Sequence, residues 1–195
     1  DYERLKSKIS ELGYNVPIMA KIEKWEAVEN LESIIKSFDA VMVARGDLGV
    51  ELPIEKVPLI QKEVIQKSRY FGKPVVIATQ ILDSMVERPV PTRAEVSDIA
   101  NAILDGADSL LVTGETAIGA FPQKVIKVLK KVINETEASI DYRTYQAQQN
   151  QQFLGTAQAI SHAACSVAYD LDIDAIVTMT HTGSTARKMS CYRPD

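Results

Sequence analysis

Short apolar runs alternate along this chain with longer stretches in which apolar residues recur at helical spacing. The runs at 18–22, 40–44, 75–79 and 109–113 are continuous rather than alternating, which predicts strands of a parallel sheet buried on both faces. A helical stretch follows each run. Trp25, Val28, Leu31, Ile34, Ile35 and Phe38 fall on one stripe that predicts a helix lying against the sheet. A second helix over 57–70 is closed by Gly72-Lys73-Pro74, a glycine cap and a residue that cannot continue it. Thr92 and Glu95 have the spacing of a capping box that opens a third helix ending at Gly106. Pro122 opens a fourth over 122–138, where its missing N–H costs nothing.

Four consecutive strand-helix units amount to half of a (β/α)8 barrel, and an open doubly wound sheet is the competing architecture. Periodicity alone does not separate them. The polar residues favour the barrel, because each run ends in reactive groups: Lys21 and Glu23, Arg45 and Asp47, Thr79, then Thr113 and Glu115. Residues 1–140 therefore read as half of a catalytic α/β barrel. Residues 141–152 lose all apolar period and read as a linker, and 153–195 as the start of a second α/β domain with a helix at 156–170, a strand at 175–179 and the opening of another helix. The chain opens inside a helical pattern, at Asp1-Tyr2-Glu3-Arg4-Leu5, and stops in the middle of a unit, so it is expected to be part of something longer.

Composition narrows the classes of function. A hydrophobic fraction of 46% over 195 residues suits a globular, soluble chain with one large core and part of a second. With 22 basic and 26 acidic residues the net charge is −4, and no Lys or Arg run could track a phosphate backbone, so nucleic acid is not an expected partner. Cys165 and Cys191 make neither a metal-ligand pair nor a disulfide framework, which points to a reducing, cytoplasmic setting. No apolar run approaches the roughly 20 residues of a membrane helix, so no membrane partner is expected.

The candidate chemistry lies at the strand ends. In Lys21-Ile22-Glu23 a cation and an anion two residues apart leave the same face of a strand. Alone, the pair reads equally as a buried ion pair. Ala44-Arg45-Gly46-Asp47-Leu48-Gly49 sets a second carboxylate at the next strand end, with glycines that let backbone approach a ligand. Two carboxylates from neighbouring strand ends suit Mg2+, whose other positions go to water and substrate phosphate. Asp47 also suits a helix cap, and both roles can coexist. Thr79 could hydrogen-bond a substrate carboxylate, although a strand-end threonine is as readily structural. Thr180-His181-Thr182-Gly183-Ser184-Thr185 follows the last predicted strand and opens a helix, a setting that cradles an anion or simply caps a turn through Thr182 or Ser184.

Lys21-Ile22-Glu23-Lys24, Met42-Val43-Ala44-Arg45-Gly46-Asp47-Leu48-Gly49, Ala78-Thr79-Gln80-Ile81-Leu82, Pro91-Thr92-Arg93-Ala94-Glu95-Val96-Ser97-Asp98 and Thr113-Gly114-Glu115-Thr116-Ala117 together resemble the motifs of the pyruvate kinase family, in that family's order and spacing. Ile118 stands where some members have lysine and Thr113 where many have serine. The resemblance implies the fifth to eighth strands of that family's barrel and the beginning of its C-terminal regulatory domain. It implies transfer of phosphate from phosphoenolpyruvate to ADP, giving pyruvate and ATP. Glu23 and Asp47 would hold Mg2+ or Mn2+, Lys21 would stabilise the moving phosphoryl group, and backbone N–H groups of Arg45, Gly46 and Asp47 would receive the substrate carboxylate with Thr79 beside it. The potassium and nucleotide sites would lie outside this chain, which alone would then be inactive. A homotetramer is implied, and a sugar-phosphate effector at Thr180, Thr182, Gly183, Ser184 and Thr185. Two other readings stand beside this one: a metal-dependent aldolase acting on pyruvate enolate, in which Lys21 would meet no phosphoryl group, and an inactive binding or assembly piece.

Overall fold

The computed structural model describes residues 2–141 and 155–193. Packing divides the chain into two units, Asp1–Ala138 and Ser139–Asp195. In the first, helix α1 (Tyr2–Glu11) precedes strand β1 (Met19–Ile22), helices α2 (Trp25–Glu29) and α3 (Leu31–Ser37), β2 (Ala40–Ala44), α4 (Arg45–Glu51) and α5 (Val57–Tyr70). Then come β3 (Val75–Ala78), α6 (Arg93–Asp105), β4 (Ser109–Leu111), α7 (Gly114–Ala117) and α8 (Pro122–Glu137), with short 3-10 turns at Ile54–Lys56 and Asp83–Val86.

The strands pair in parallel in the order β1-β2-β3-β4. Ala20, Ile22, Val41, Val43, Val75 and Ile77 share one face and are at most 7% exposed. Helix α5 packs against β2 and β3, and Leu31 and Ile35 of α3, Val64 and Ile65 of α5 and Ile99 of α6 are all buried. The register puts Met19, Lys21, Met42, Val76, Ser109 and Leu111 on the opposite face, and there Met19 is 44% and Leu111 38% exposed. Burial on both faces, expected from the apolar runs, is complete on the first; on the second, Ala44 and Ala78 are buried at the C-terminal ends while the other positions are half-buried or exposed. The reason is topological: right-handed crossovers between sequential parallel neighbours place every helix on the same side, whereas a doubly wound sheet reverses its order and covers both. Sequential order with the second face left largely bare among the described residues is half of a TIM barrel.

Local chemistry explains the departures from the expected elements. The helix predicted after β1 breaks at Asn30, whose side chain donates to the Glu26 carbonyl at 2.8 Å and whose backbone closes α2 and opens α3. The break turns Trp25 outward to 42% exposure. β3 stops at Ala78 because Thr79 and Gln80 take left-handed φ values of 67° and 53°. The capping box forms as predicted, with Thr92 and Glu95 each satisfying the other's backbone, and α6 ends at Gly106 with φ 107°.

In the second unit the helix Thr156–Asp170 buries Ser161, Cys165 and Ala168, and a second helix spans Ser184–Ser190. The strand expected at 175–179 does not form: the segment is irregular, with Val177 90% and Met179 96% exposed. Its apolar character is that of a strand, but no described segment pairs with it. The expected linker lies, but for residue 141, outside the described residues. No described helix is long and apolar enough to cross a membrane.

Candidate active site

The C-terminal ends of the strands gather the polar groups at one rim of the sheet. Lys21 is the third residue of β1 and projects from the bare face, as does Glu23 just beyond it. Asp47 belongs to the first turn of α4, which begins directly after β2 and is anchored by the fully buried Leu48. The Lys21 ammonium pairs with both carboxylates, with Asp47 Oδ2 at 2.8 Å and with Glu23. Hydrogen bonds that Lys21 donates to Asp47 and then to Glu23 push its pKa up to about 12, and the Asp47 carboxyl is held below its ordinary value by Lys21. In this state Lys21 is an ammonium and Asp47 a carboxylate at neutral pH. An open hollow of about 390 Å3 is lined by Lys21 and Glu23 together with Lys24, Glu26, Ala27, Asn30 and Ile34.

This donor set fits a hard divalent cation. Both donors are carboxylates, and both pair with a single ammonium, so two hard oxygen donors converge on one point. Among the described residues no group of three or more His, Cys, Asp or Glu side chains could hold a metal, so other ligands would come from water or substrate.

Arg45, Gly46 and Thr79 form a second group. The Gly46 N–H donates to Thr79 Oγ1 at 2.7 Å, and that hydroxyl donates to the Ala78 carbonyl at 2.6 Å. Arg45 is only 7% exposed, and its side chain turns inward to α5, α6 and the end of β3. That leaves its backbone, not its guanidinium, at the rim. Glu115, 1% exposed, accepts from the N–H groups of Leu82 at 3.0 Å and Thr113 at 2.8 Å and ties the loops after β3 and β4 together.

The sequence pattern alone does not reveal either inward role. A charged residue next to glycine at a strand end reads as a ligand group, and only the positive φ values after β3 show what Arg45 holds. In the second unit Gly183, at φ 76°, caps the helix Ser184–Ser190 in place of Thr182 or Ser184. Arg187 donates back to the Thr182 carbonyl at 3.1 Å and Lys188 to Ser184 Oγ at 3.3 Å, so two cations border this exposed loop.

A sequential parallel sheet with helices on one face and charged groups gathered at its C-terminal rim defines half of a TIM-barrel enzyme. Comparison with known proteins makes the assignment particular. Residues 1–126 match the family model described as pyruvate kinase, barrel domain, and residues 158–195 the one described as pyruvate kinase, alpha/beta domain. The chain is 51% identical over 193 residues to a pyruvate kinase of Thermotoga maritima, covering 98% of this chain and 41% of that protein. It is 49% identical over 183 residues to one of Clostridium acetobutylicum, covering 93% and 39%. A crystal structure of a pyruvate kinase from Cryptosporidium parvum matches with a TM-score of 0.92 at 42% identity, over 99% of this chain and 41% of that one. The chain belongs to the pyruvate kinase family. It spans about two fifths of the length of the relatives it matches.

Proposed function

We propose that the protein containing this chain is a pyruvate kinase that moves the phosphoryl group of phosphoenolpyruvate to ADP, and that this chain supplies the later half of its catalytic barrel and the beginning of its regulatory domain. The observation that carries the reading is the Lys21 ammonium held between the Glu23 and Asp47 carboxylates at neighbouring strand ends. An aldolase acting on pyruvate enolate has no phosphoryl group for that ammonium to meet. Phosphoryl transfer through a loose transition state needs positioning and opposite charge more than covalent chemistry, and this cluster offers both.

In this reading Glu23 and Asp47 would hold Mg2+ or Mn2+, which would supply positive charge to offset that of the substrate oxygens. Substrate then frees Lys21 from one or both carboxylates, and its ammonium meets the phosphoryl oxygens. The backbone N–H groups at 45–47 face the substrate carboxylate at the start of α4. The Thr79 hydroxyl, placed by Gly46, sits beside the carbon that is finally protonated. The potassium and nucleotide sites lie outside this chain. The protein acts in the cytoplasm as a homotetramer. The loop bearing Thr180, Thr182, Gly183, Ser184 and Thr185, with Arg187 and Lys188 bordering it, takes the phosphate of a sugar-phosphate effector.

The test is turnover of the full-length enzyme carrying Lys21→Ala. Deleting one preorganised electrostatic group is expected to lower kcat on the order of 10²-fold or more. Unchanged turnover would reduce Lys21 to a structural ion pair.

A further inference from the structure

The Arg45 guanidinium has all five of its N–H groups directed at protein acceptors. Nη1 donates to Asp98 Oδ2 at 2.5 Å and Gln61 Oε1 at 3.4 Å, Nη2 to the carbonyls of Thr79 at 2.9 Å and Gln80 at 2.8 Å, and Nε to Thr79 O at 3.3 Å. Gln61, on α5, is itself 5% exposed. No donor is left for a ligand. The two carbonyls it grips belong to consecutive residues with φ of 67° and 53°. Left-handed geometry is disfavoured for side chains other than glycine, and it persists only where surrounding contacts hold it. Here those contacts come from the residue directly after β2, reaching across to the end of β3. The same turn sets Thr79 Oγ1 against the Gly46 N–H at 2.7 Å.

We infer that Arg45 is a positioning residue for Thr79: its guanidinium fork holds the Thr79-Gln80 turn in paired left-handed conformation and so fixes the threonine hydroxyl at the strand-end rim. The inference rests on the proposed place of Thr79 beside the substrate. Lysine cannot replace arginine in this role, because an ammonium has three donors and no planar fork to span two carbonyls and a carboxylate.

The experiment uses full-length enzyme carrying Arg45→Lys, Gln80→Val, Arg45→Lys with Gln80→Gly, or Thr79→Ala, each assayed for pyruvate formation and titrated with Mn2+. Arg45→Lys is expected to lower kcat by on the order of 10-fold to 10²-fold while Mn2+ affinity stays within about twofold, since the carboxylates are untouched. Gln80→Val puts a β-branched side chain at a left-handed φ and is expected to give the same split without touching Arg45. It carries the comparison if Arg45→Lys does not accumulate as folded protein. Glycine adopts the turn freely, so Gln80→Gly is expected to restore kcat about fivefold or more in the Arg45→Lys background. Parental kcat in Arg45→Lys or in Gln80→Val, or no recovery in the pair, overturns the inference. Parental kcat in Thr79→Ala overturns the reading of Thr79 as well. Loss of kcat in Thr79→Ala with parental kcat in Arg45→Lys removes the clamp alone.

Discussion

The Glu95 carboxylate accepts hydrogen bonds from the N–H of Ser84 at 2.7 Å and its hydroxyl at 2.6 Å, and from the N–H of Thr92 at 2.7 Å and its hydroxyl at 2.9 Å. It therefore closes the capping box of α6 and also fastens the 3-10 turn that follows the Thr79-Gln80 turn. Burial opposes its charge, but the hydrogen bonds from Ser84 and Thr92 outweigh burial and hold its pKa below the ordinary 4.5. A carboxylate lowered in this way stabilises the fold above its unfolded pKa, and the contribution is lost as pH falls through the folded value. Glu95→Gln is expected to destabilise by about 1 kcal/mol at pH 7, with the difference in Tm shrinking as pH is lowered below about 4.5. Asp83 titrates in the opposite sense, raised by burial and by the Glu115 and Glu95 charges. Thermal melts across pH in an Asp83→Asn background isolate the Glu95 contribution. A Tm difference that stayed constant down to pH 3 would contradict the assignment.

Helix α7 is a single turn without a side-chain cap, yet it carries the buried Glu115 that joins the loops after β3 and β4. Gly119 follows it, and a Cβ there would fall well inside contact distance of the Glu115 backbone carbonyl. Gly119→Ala is therefore expected to destabilise the fold by about 1–3 kcal/mol, the scale of overpacking a closed site, read by denaturant unfolding. An unshifted midpoint would show that α7 yields freely. At this scale much of the first unit was legible from sequence. The apolar runs located β1 to β4, and Thr92 with Glu95 located the start of α6, because those signals are local. Others depend on distant partners. The break at Asn30 needs a side-chain bond to Glu26, and the run at 175–179 lacks a paired neighbour among the described residues. The early end of β3 depends on Arg45, which arrives from another strand. Lys21, Glu23 and Asp47 could be named from their strand-end places, but the inward turn of Arg45 and Glu115 could not, since a charged residue at a rim reads as facing solvent or ligand.

Among the described residues one face of the sheet is largely open and its two edge strands are unpaired, with Met19 and Leu111 substantially exposed at opposite edges. An all-parallel sheet is stable when both faces are covered, so this half barrel calls for a complementary half. The chain's span of 41% of its Thermotoga maritima relative fits that requirement. The bare face is also the face from which Lys21 projects, so completion of the barrel would bring further groups to the same rim. Glu23 and Asp47 at this rim are proposed to be the ligands of a divalent ion while Lys21 serves the phosphoryl group. Mn2+ titration of the full-length enzyme, followed by electron paramagnetic resonance of the free ion, tests it most directly. Glu23→Gln and Asp47→Asn are each expected to weaken Mn2+ binding on the order of 10²-fold, because water cannot replace a carboxylate at equal charge, while Lys21→Ala binds the ion at least as tightly as the parent. Parental Mn2+ affinity in both carboxylate variants would contradict the account.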